Sequence, residues 1–155
     1  MILTTEKTRA SYYIDFSQKP HSAIQLLHYL SRAPMKVFVI DNSPEIRKRM
    51  TKYFATLENV EVVGEADDTV GIIDRIRKTK PDVVTLDIGL PNGINIYVIH
   101  KLKQFKEPPK VVVLTDYPML KDVSLQGGAD YFFDKSQEFE KISDVFREMR
   151  KRKNL

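Results

Sequence analysis

The sequence contains no cysteine among its 155 residues. A disulfide framework, thiolate chemistry and a cysteine-based metal site are therefore excluded, and the composition suits a reducing compartment. Long apolar runs are also missing, since no stretch approaches the roughly 20 apolar residues of a membrane span and the amino terminus lacks the apolar segment of a signal peptide. Repeats and low-complexity tracts are absent as well. We therefore predict a soluble, cytoplasmic protein.

Charge of either sign is moderate, with a formal net charge of +4. The chain has 42% hydrophobic residues, so its length suits one ordinary globular core and is too short for two full domains. Much of the positive excess lies near the carboxyl terminus, at Arg147, Arg150, Lys151, Arg152 and Lys153. Such a cluster is typical of a solvated helix end and does not favour DNA binding.

After residue 35, short apolar runs alternate with amphipathic patterns. The runs cover residues 37–40, 60–64, 83–86, 111–114 and 130–134. Ser43 and Pro44 follow the first run and give the cap and first residue of a helix. Parallel strands need crossover connections, and inner strands that are apolar on both faces need helices on both sides. The alternation therefore predicts an α/β fold with a doubly wound, five-stranded parallel sheet.

Capping and breaking residues predict where the later helices begin. Asp68-Thr69 should open the second helix, with Val70 on its apolar face. Ser136 should cap the last helix. The fourth helix should be short or irregular, because its segment is short and contains Pro118.

Polar residues stand where four of the five runs end. Asp41 follows the first run and Asp87 follows the third, while Thr115 closes the fourth and Lys135 follows the fifth. The carboxyl ends of parallel strands lie along one edge, which is where open α/β sheets build their sites. We therefore expect these four side chains to converge at one site.

A carboxylate can act as a nucleophile toward phosphorus if a cation shields it from the incoming phosphoryl group. Asp87 is the best candidate nucleophile, because it follows the central strand and precedes an open Gly-Leu-Pro-Asn-Gly loop. Asp41 would hold a divalent cation, Lys135 would pair with phosphoryl oxygens, and Thr115 would donate a hydrogen bond to one of them. Taken singly, each residue has an ordinary alternative as a helix cap, rim residue or turn former.

Residues 35–153 resemble the receiver domain of two-component response regulators. Four motifs carry the resemblance, in order and each at the end of its own run: Ile40-Asp41-Asn42-Ser43-Pro44, Thr85-Leu86-Asp87-Ile88-Gly89-Leu90-Pro91, Val113-Leu114-Thr115 and Gly128-Ala129-Asp130-Tyr131-Phe132-Phe133-Asp134-Lys135. The resemblance implies a flavodoxin-like (βα)5 fold with strand order 2-1-3-4-5. It also implies a Mg²⁺ or Mn²⁺ site at Asp41, Asn42, Asp87 and Gly89, and a conformational switch at Phe132.

The resemblance further implies a phosphoacceptor domain of a phosphorelay. Asp87 would receive the phosphoryl group from a histidine kinase or a histidine phosphotransfer protein, and the domain would signal to a downstream protein of unknown identity. Its only catalysis would act on itself, in accepting the phosphoryl group and assisting its hydrolysis. Because few residues follow Lys135, the sequence predicts a stand-alone receiver.

Three positions depart from the pattern of the resembled domains. Asn42 replaces the second of two adjacent acids, so we expect weaker Mg²⁺ binding. Asp116 is acidic where small residues are common, and Ser136 replaces a proline. Asn42 and Asp116 favour an alternative, a pseudo-receiver that binds proteins without being phosphorylated. A nucleic-acid-binding accessory protein that uses the carboxyl-terminal cations is a third, weaker alternative.

Residues 1–34 form an amino-terminal extension ahead of the predicted receiver domain at 35–155. Ser22-Ala23-Ile24-Gln25 resembles a capping box, and Ile24, Leu27 and Leu30 have the spacing of a short amphipathic helix. The alternative is a disordered segment ahead of a true start at Met35. Of these two interpretations, we favour the second.

Overall fold

Five parallel strands form one sheet in the computed structural model, which describes residues 22–24, 33–57, 59–90 and 93–153. We number them in chain order as β1 Met35–Ile40, β2 Val60–Ala66, β3 Val83–Leu86, β4 Lys110–Thr115 and β5 Tyr131–Asp134. Their spatial order is β2-β1-β3-β4-β5, and every neighbouring pair is parallel. The predicted fold class and strand order are confirmed.

Five α-helices connect or follow these strands. They are α1 Pro44–Thr56, α2 Ile72–Thr79, α3 Ile96–Lys103, α4 Lys121–Gln126 and α5 Ile142–Lys153. The predicted start of α1 is confirmed, because the Ser43 hydroxyl accepts a hydrogen bond from the Ile46 amide at 3.2 Å and Pro44 is the first helical residue. A short antiparallel ribbon, Gly89–Leu90 paired with Gly93–Ile94, lies between β3 and α3.

Helices cover both faces of the sheet, because alternate residues of each inner strand point into two apolar layers. In β1, Phe38 and Ile40 belong to the layer under α2 and α3, whereas Val37 and Val39 belong to the layer under α1 and α5. All four residues of β3 are buried, so β3 lies at the centre of the sheet. The residue that directly follows β3 is therefore held by a fully buried strand.

Two helices begin later than the sequence predicted. Asp68 does not open α2, because its carboxylate accepts a hydrogen bond from the Val70 amide at 2.9 Å and forms a turn instead. Val70 is consequently 75% exposed, and α2 begins at Ile72. Ser136 does not cap α5 either, since its amide and hydroxyl both donate to the Asp134 carboxylate. In both places a short polar side chain satisfies local groups in competition with the helix.

The fourth helix is short, as its proline and segment length predicted. A single 3-10 turn over Pro118–Leu120 precedes the six residues of α4. A second 3-10 turn, Phe139–Lys141, leads into α5. The first turn follows the predicted site residue Thr115 by a few positions in the sequence, and the second turn follows Lys135.

Most of the predicted amino-terminal extension lies outside the described residues. The helix predicted at Leu27 and Leu30 therefore stays a prediction, as does the proposed boundary at residue 35. Within the described part of the chain, no helix combines the length and the apolar character needed to cross a membrane.

Candidate functional site

Four side chains predicted from the sequence lie at the carboxyl-terminal edge of the sheet. Asp41 directly follows β1, Asp87 follows β3, Thr115 ends β4 and Lys135 follows β5. All four are buried, with exposed fractions of 1%, 5%, 0% and 8%, respectively. Charged residues are almost never buried unless they are paired, so the contacts among these groups define the site.

Lys135 brings the two carboxylates together. Its Nζ lies 2.7 Å from Asp41 Oδ2 and 2.6 Å from Asp87 Oδ2. The other oxygen of each carboxylate is held by the main chain, because the Ser43 amide donates to Asp41 Oδ1 and the Gly89 amide donates to Asp87 Oδ1, each at 2.9 Å. Both carboxylates are therefore fixed in orientation around one cation.

The two carboxylates also set the charge state of Lys135. Burial opposes the ammonium charge, but hydrogen bonds and charge attraction from Asp41 and Asp87 outweigh it and raise the pKa of Lys135 above its ordinary value of 10.5. Because the pKa is raised on folding, this contribution to stability is complete below that ordinary value and is lost as the pH rises through the folded-state pKa. Lys135 is thus a permanent cation at neutral pH.

The Thr115 hydroxyl has no hydrogen-bond partner in the part of the chain that the structure describes. Among the described residues, Thr115 Oγ1 and Thr85 Oγ1 are buried side-chain polar atoms without a hydrogen bond. The Thr115 carbonyl accepts a hydrogen bond from the Lys135 amide at 3.0 Å, which ties the ends of β4 and β5 together. An unpaired buried hydroxyl costs about 1 to 3 kcal/mol, so a ligand oxygen that accepted its hydrogen bond would be favoured.

The donor set at this edge suits a hard divalent cation. One ammonium already bridges Asp41 and Asp87, so both carboxylates reach a common cation position. The amide oxygen of exposed Asn42 and the main-chain carbonyl of Gly89 would add neutral oxygen donors. No group of three or more His, Cys, Asp or Glu side chains with metal-binding geometry occurs in the described part of the chain. Mg²⁺ fits such a set, because it commonly takes one or two carboxylates and keeps several waters.

Phe132 lies on β5 but is separate from this cluster of charges. Its ring is partly buried and packs against the apolar layer under α2 and α3. The neighbouring Tyr131 and Phe133 pack against the opposite layer. The predicted switch role of Phe132 therefore stays a prediction.

Tyr117 is a site residue that the sequence did not indicate. A Cβ atom built on Gly89 would lie 2.3 Å from Tyr117 Cε2, 2.5 Å from Tyr117 Cδ2 and 3.5 Å from Asp87 Oδ1. The tyrosine ring therefore occupies the space beside Asp87 that any side chain at position 89 would need. Tyr117 is 48% exposed, so its ring forms an outer wall of the site.

Arg47 is a second residue beside the site that the sequence did not indicate. From α1, its guanidinium donates to the Asp41 carbonyl at 2.6 Å, and its Nε lies 3.8 Å from Glu65 Oε2 on β2. Arg47 thus connects the loop of Asp41 to β2. A single arginine in a basic helix gives no sequence signal for such a contact, because it depends on how α1 packs against the sheet.

The contact between Gly89 and Tyr117 predicts a coupled pair of substitutions. Gly89 lies outside the left-handed backbone region, so alanine fits its backbone and only the ring opposes the new methyl group. Gly89→Ala should lower the free energy of unfolding by about 1 to 2 kcal/mol through this clash. In a Tyr117→Ala background the same substitution should cost almost nothing. Urea unfolding of the wild type, the two single variants and the double variant would measure this difference. Tyr117→Phe is the matched control, because it keeps the ring and should keep the full cost; an equal cost in all three backgrounds would contradict the contact.

Comparisons with known proteins agree with this architecture. Residues 37–147 match the family described as response regulator receiver domain. The uncharacterized transcriptional regulatory protein YhcZ of Bacillus subtilis is 34% identical over 110 residues, which are 70% of this chain and 51% of that protein. A protein-glutamate methylesterase/protein-glutamine glutaminase of Rhizobium etli is 35% identical over 83 residues, which are 54% of this chain and 24% of that enzyme.

A solved structure of the same kind is the signal receiver domain of NarL from Mycobacterium tuberculosis. It superimposes with a TM-score of 0.68 at 26% identity and covers 77% of this chain and 98% of that one. The chain spans only about half and about a quarter, respectively, of the two curated relatives named above.

Proposed function

Because the chain belongs to the response regulator receiver domain family, whose members are phosphoacceptor domains of two-component signalling, we propose that its phosphoacceptor is Asp87. The observation that supports this assignment is the contact of Lys135 Nζ with both Asp87 and Asp41 in a buried cluster. Among the carboxylates that Lys135 holds, Asp87 follows the central strand and Asp41 follows its neighbour. We therefore assign Asp87 as the phosphoacceptor and Asp41 as a residue that holds the cation.

The chemistry is the transfer of a phosphoryl group to a carboxylate. An oxygen of Asp87 attacks phosphorus, a P–O bond forms, and the P–N bond of a phosphohistidine donor breaks as the imidazole leaves. Lys135 pairs with oxygens of the transferred group as a fixed positive charge. The Thr115 hydroxyl, which has no hydrogen-bond partner among the described residues, donates a hydrogen bond to one of these oxygens.

Receiver domains typically bind Mg²⁺, and we propose that Asp41, Asp87, Asn42 and the Gly89 carbonyl hold it here. Bound Mg²⁺ supplies positive charge that reduces the repulsion between the carboxylates and the incoming phosphoryl group. The residues of the chain orient the acceptor: the Gly89 amide fixes one oxygen of Asp87, while the Ser43 amide fixes one oxygen of Asp41. Mn²⁺ suits the same oxygen donors.

Receiver domains interact with histidine kinases or histidine phosphotransfer proteins, and we propose that one of these is the donor. The two curated relatives carry different names, one a transcriptional regulatory protein and the other a methylesterase/glutaminase. The phosphoacceptor step is shared among such proteins, whereas the output differs. Our proposal therefore concerns that step, in which the domain accepts the phosphoryl group and assists its hydrolysis.

A pseudo-receiver is the second candidate, because Asn42 and Asp116 change the charge around the acceptor. Asn42 leaves the site one carboxylate short, and Asp116 is an exposed acid directly after Thr115. Either change weakens the attraction for a cation or a phosphoryl donor. A protein of this kind would keep the fold and bind partners without modification.

Intact-mass spectrometry of the full chain would distinguish the two candidates. The chain is incubated with acetyl phosphate or phosphoramidate, in Mg²⁺ and in excess EDTA, and the modified peptide is then mapped. A Mg²⁺-dependent gain of one phosphoryl group at Asp87 supports the phosphoacceptor. No gain with either donor, for a folded protein that binds Mg²⁺, rejects it in favour of the pseudo-receiver.

The missing charge at position 42 predicts a gain of affinity. Asn42→Asp should bind Mg²⁺ about tenfold more tightly than the wild type, because it restores a carboxylate to a site that has two. Isothermal titration calorimetry at fixed ionic strength would measure the change. Asn59→Asp is the matched control, since it adds the same charge just before β2, at the opposite edge of the sheet. Equal affinities for the wild type and Asn42→Asp would remove Asn42 from the proposed site.

A further inference from the structure

Asn95 stands at the helix-capping position before α3 but does not cap the helix. It is 3% exposed, and its side chain makes no hydrogen bond to the first turn of α3. Asparagine is among the best capping residues, and capping typically contributes about 1 kcal/mol. The Asn95 side chain must therefore satisfy its polar atoms elsewhere.

Its partners form a directed chain of hydrogen bonds between two loops. The Tyr97 hydroxyl donates to Thr69 Oγ1 at 3.1 Å, and Thr69 Oγ1 donates to Asn95 Oδ1 at 3.3 Å. Asn95 Nδ2 donates in turn to the Gly93 carbonyl at 2.7 Å. A carbonyl can only accept, so this last bond fixes which end of the amide faces Gly93 and leaves Oδ1 for Thr69.

This chain reaches the loop that carries the proposed acceptor. The main-chain N–H of Asn95 donates to the Ile88 carbonyl at 3.1 Å, next to Asp87. Gly93 belongs to the ribbon strand that pairs with Gly89–Leu90. Gly89, in turn, holds Asp87 Oδ1 through its amide. Asn95 thus contacts both sides of the ribbon at its base, with its side chain on the Gly93 carbonyl and its main-chain N–H on the Ile88 carbonyl.

Thr69, in the middle of the chain, links it to the loop between β2 and α2. It is buried, and its carbonyl also accepts a hydrogen bond from the Ile72 amide at 3.3 Å. The loop of Thr69 belongs to a different crossover from the loop of Asp87. The hydrogen bond between Thr69 and Asn95 therefore ties the ribbon to the loop between β2 and α2, which is itself held by the hydrogen bond from the Ile72 amide.

We infer that Thr69 and Asn95 are positioning residues that hold the Gly89 main chain in place beside Asp87. Their effect on Mg²⁺ affinity rests on the proposed function, because it acts through the Gly89 carbonyl and the orientation of the Asp87 carboxylate. A purely structural role would instead lower global stability without loosening the ribbon or weakening the cation site.

The test compares Thr69→Val, Asn95→Ala and the double variant with the wild type. Thr69→Val removes the hydroxyl and nearly keeps the shape, so it breaks the chain at its middle. The two readouts are amide hydrogen exchange at Gly89 and Asn95 without metal, and Mg²⁺ affinity by calorimetry. Asp130→Asn is the control for lost stability, because its carboxylate binds Lys103, Lys110 and the Val111 amide at the opposite edge of the sheet.

Each single variant should exchange these amides about tenfold faster than Asp130→Asn of similar stability, and should bind Mg²⁺ about tenfold more weakly than the wild type. The double variant should bind Mg²⁺ only slightly more weakly than the single variant of lower affinity, since both substitutions break the same chain of hydrogen bonds. Exchange that only follows global stability, together with Mg²⁺ affinity within twofold of the wild type, would overturn the inference. A wild type that binds no Mg²⁺ would count against the proposed function, while exchange at Gly89 would still decide the positioning role.

Discussion

Asp87→Asn is expected to take up no phosphoryl group from acetyl phosphate in Mg²⁺, under conditions that modify the wild type. An amide lacks the negative charge that makes a carboxylate oxygen a nucleophile toward phosphorus. The substitution also removes one of the two carboxylates proposed to hold the cation. Intact-mass spectrometry of both proteins in the same reaction measures the effect, which we expect to be complete within detection.

The fold should survive this substitution. Asparagine keeps the shape of aspartate, and its amide oxygen can still accept the Gly89 hydrogen bond that now reaches Asp87 Oδ1. Lys135 would keep Asp41 as a charged partner, so no buried charge is left unpaired. Circular dichroism and urea unfolding would verify that the variant is folded.

Asp116→Asn serves as the matched control for Asp87→Asn. It makes the same chemical change at an exposed acid directly after Thr115, at the end of the strand next to β3. It should be modified at least as fast as the wild type, because it removes negative charge near the donor's path. Full modification of Asp87→Asn would place the acceptor elsewhere and refute the assignment.

The sequence predicted the position of Asp41, Asp87, Thr115 and Lys135 for a topological reason. Each follows or ends an apolar strand, and parallel strands bring their carboxyl ends to one edge whatever the detail of the crossovers. The sheet order and the burial of β3 follow from the same alternation of elements. Local patterns were enough here, because the site is built directly on strand ends.

The same patterns could not predict contacts that join separate loops. The contact between Tyr117 and Gly89 joins residues 28 positions apart, and the hydrogen bond between Thr69 and Asn95 joins residues 26 positions apart. No spacing rule relates residues so distant in the sequence. The predicted starts of α2 and α5 were wrong for a different reason. Asp68 and Asp134 form local hydrogen bonds that compete with helix capping, and the sequence does not say which of the two wins.

Lys135→Met is expected to lower the free energy of unfolding by about 3 kcal/mol at pH 7 in EDTA. Methionine replaces the aliphatic stem of lysine but leaves Asp41 and Asp87 buried without the ammonium that contacts both. Two uncompensated carboxylates repel each other, so the pKa of one of them should rise above that of the unfolded chain. The folded variant then binds a proton more tightly than the unfolded variant, and its deficit should shrink as the pH falls toward 5.

Mg²⁺ should reduce the same deficit, because a divalent cation can take the position between the carboxylates that the ammonium has left. Urea unfolding of wild type and variant, at pH 7 and pH 5, with EDTA or Mg²⁺, measures both effects. Lys103→Met is the control, since it removes an amine from Asp130 at the opposite edge, where Lys110 and the Val111 amide still hold that carboxylate. Its deficit should be smaller and insensitive to Mg²⁺. A deficit in Lys135→Met that neither acid nor Mg²⁺ reduces would mean that loss of packing, and not the two carboxylates, sets its cost.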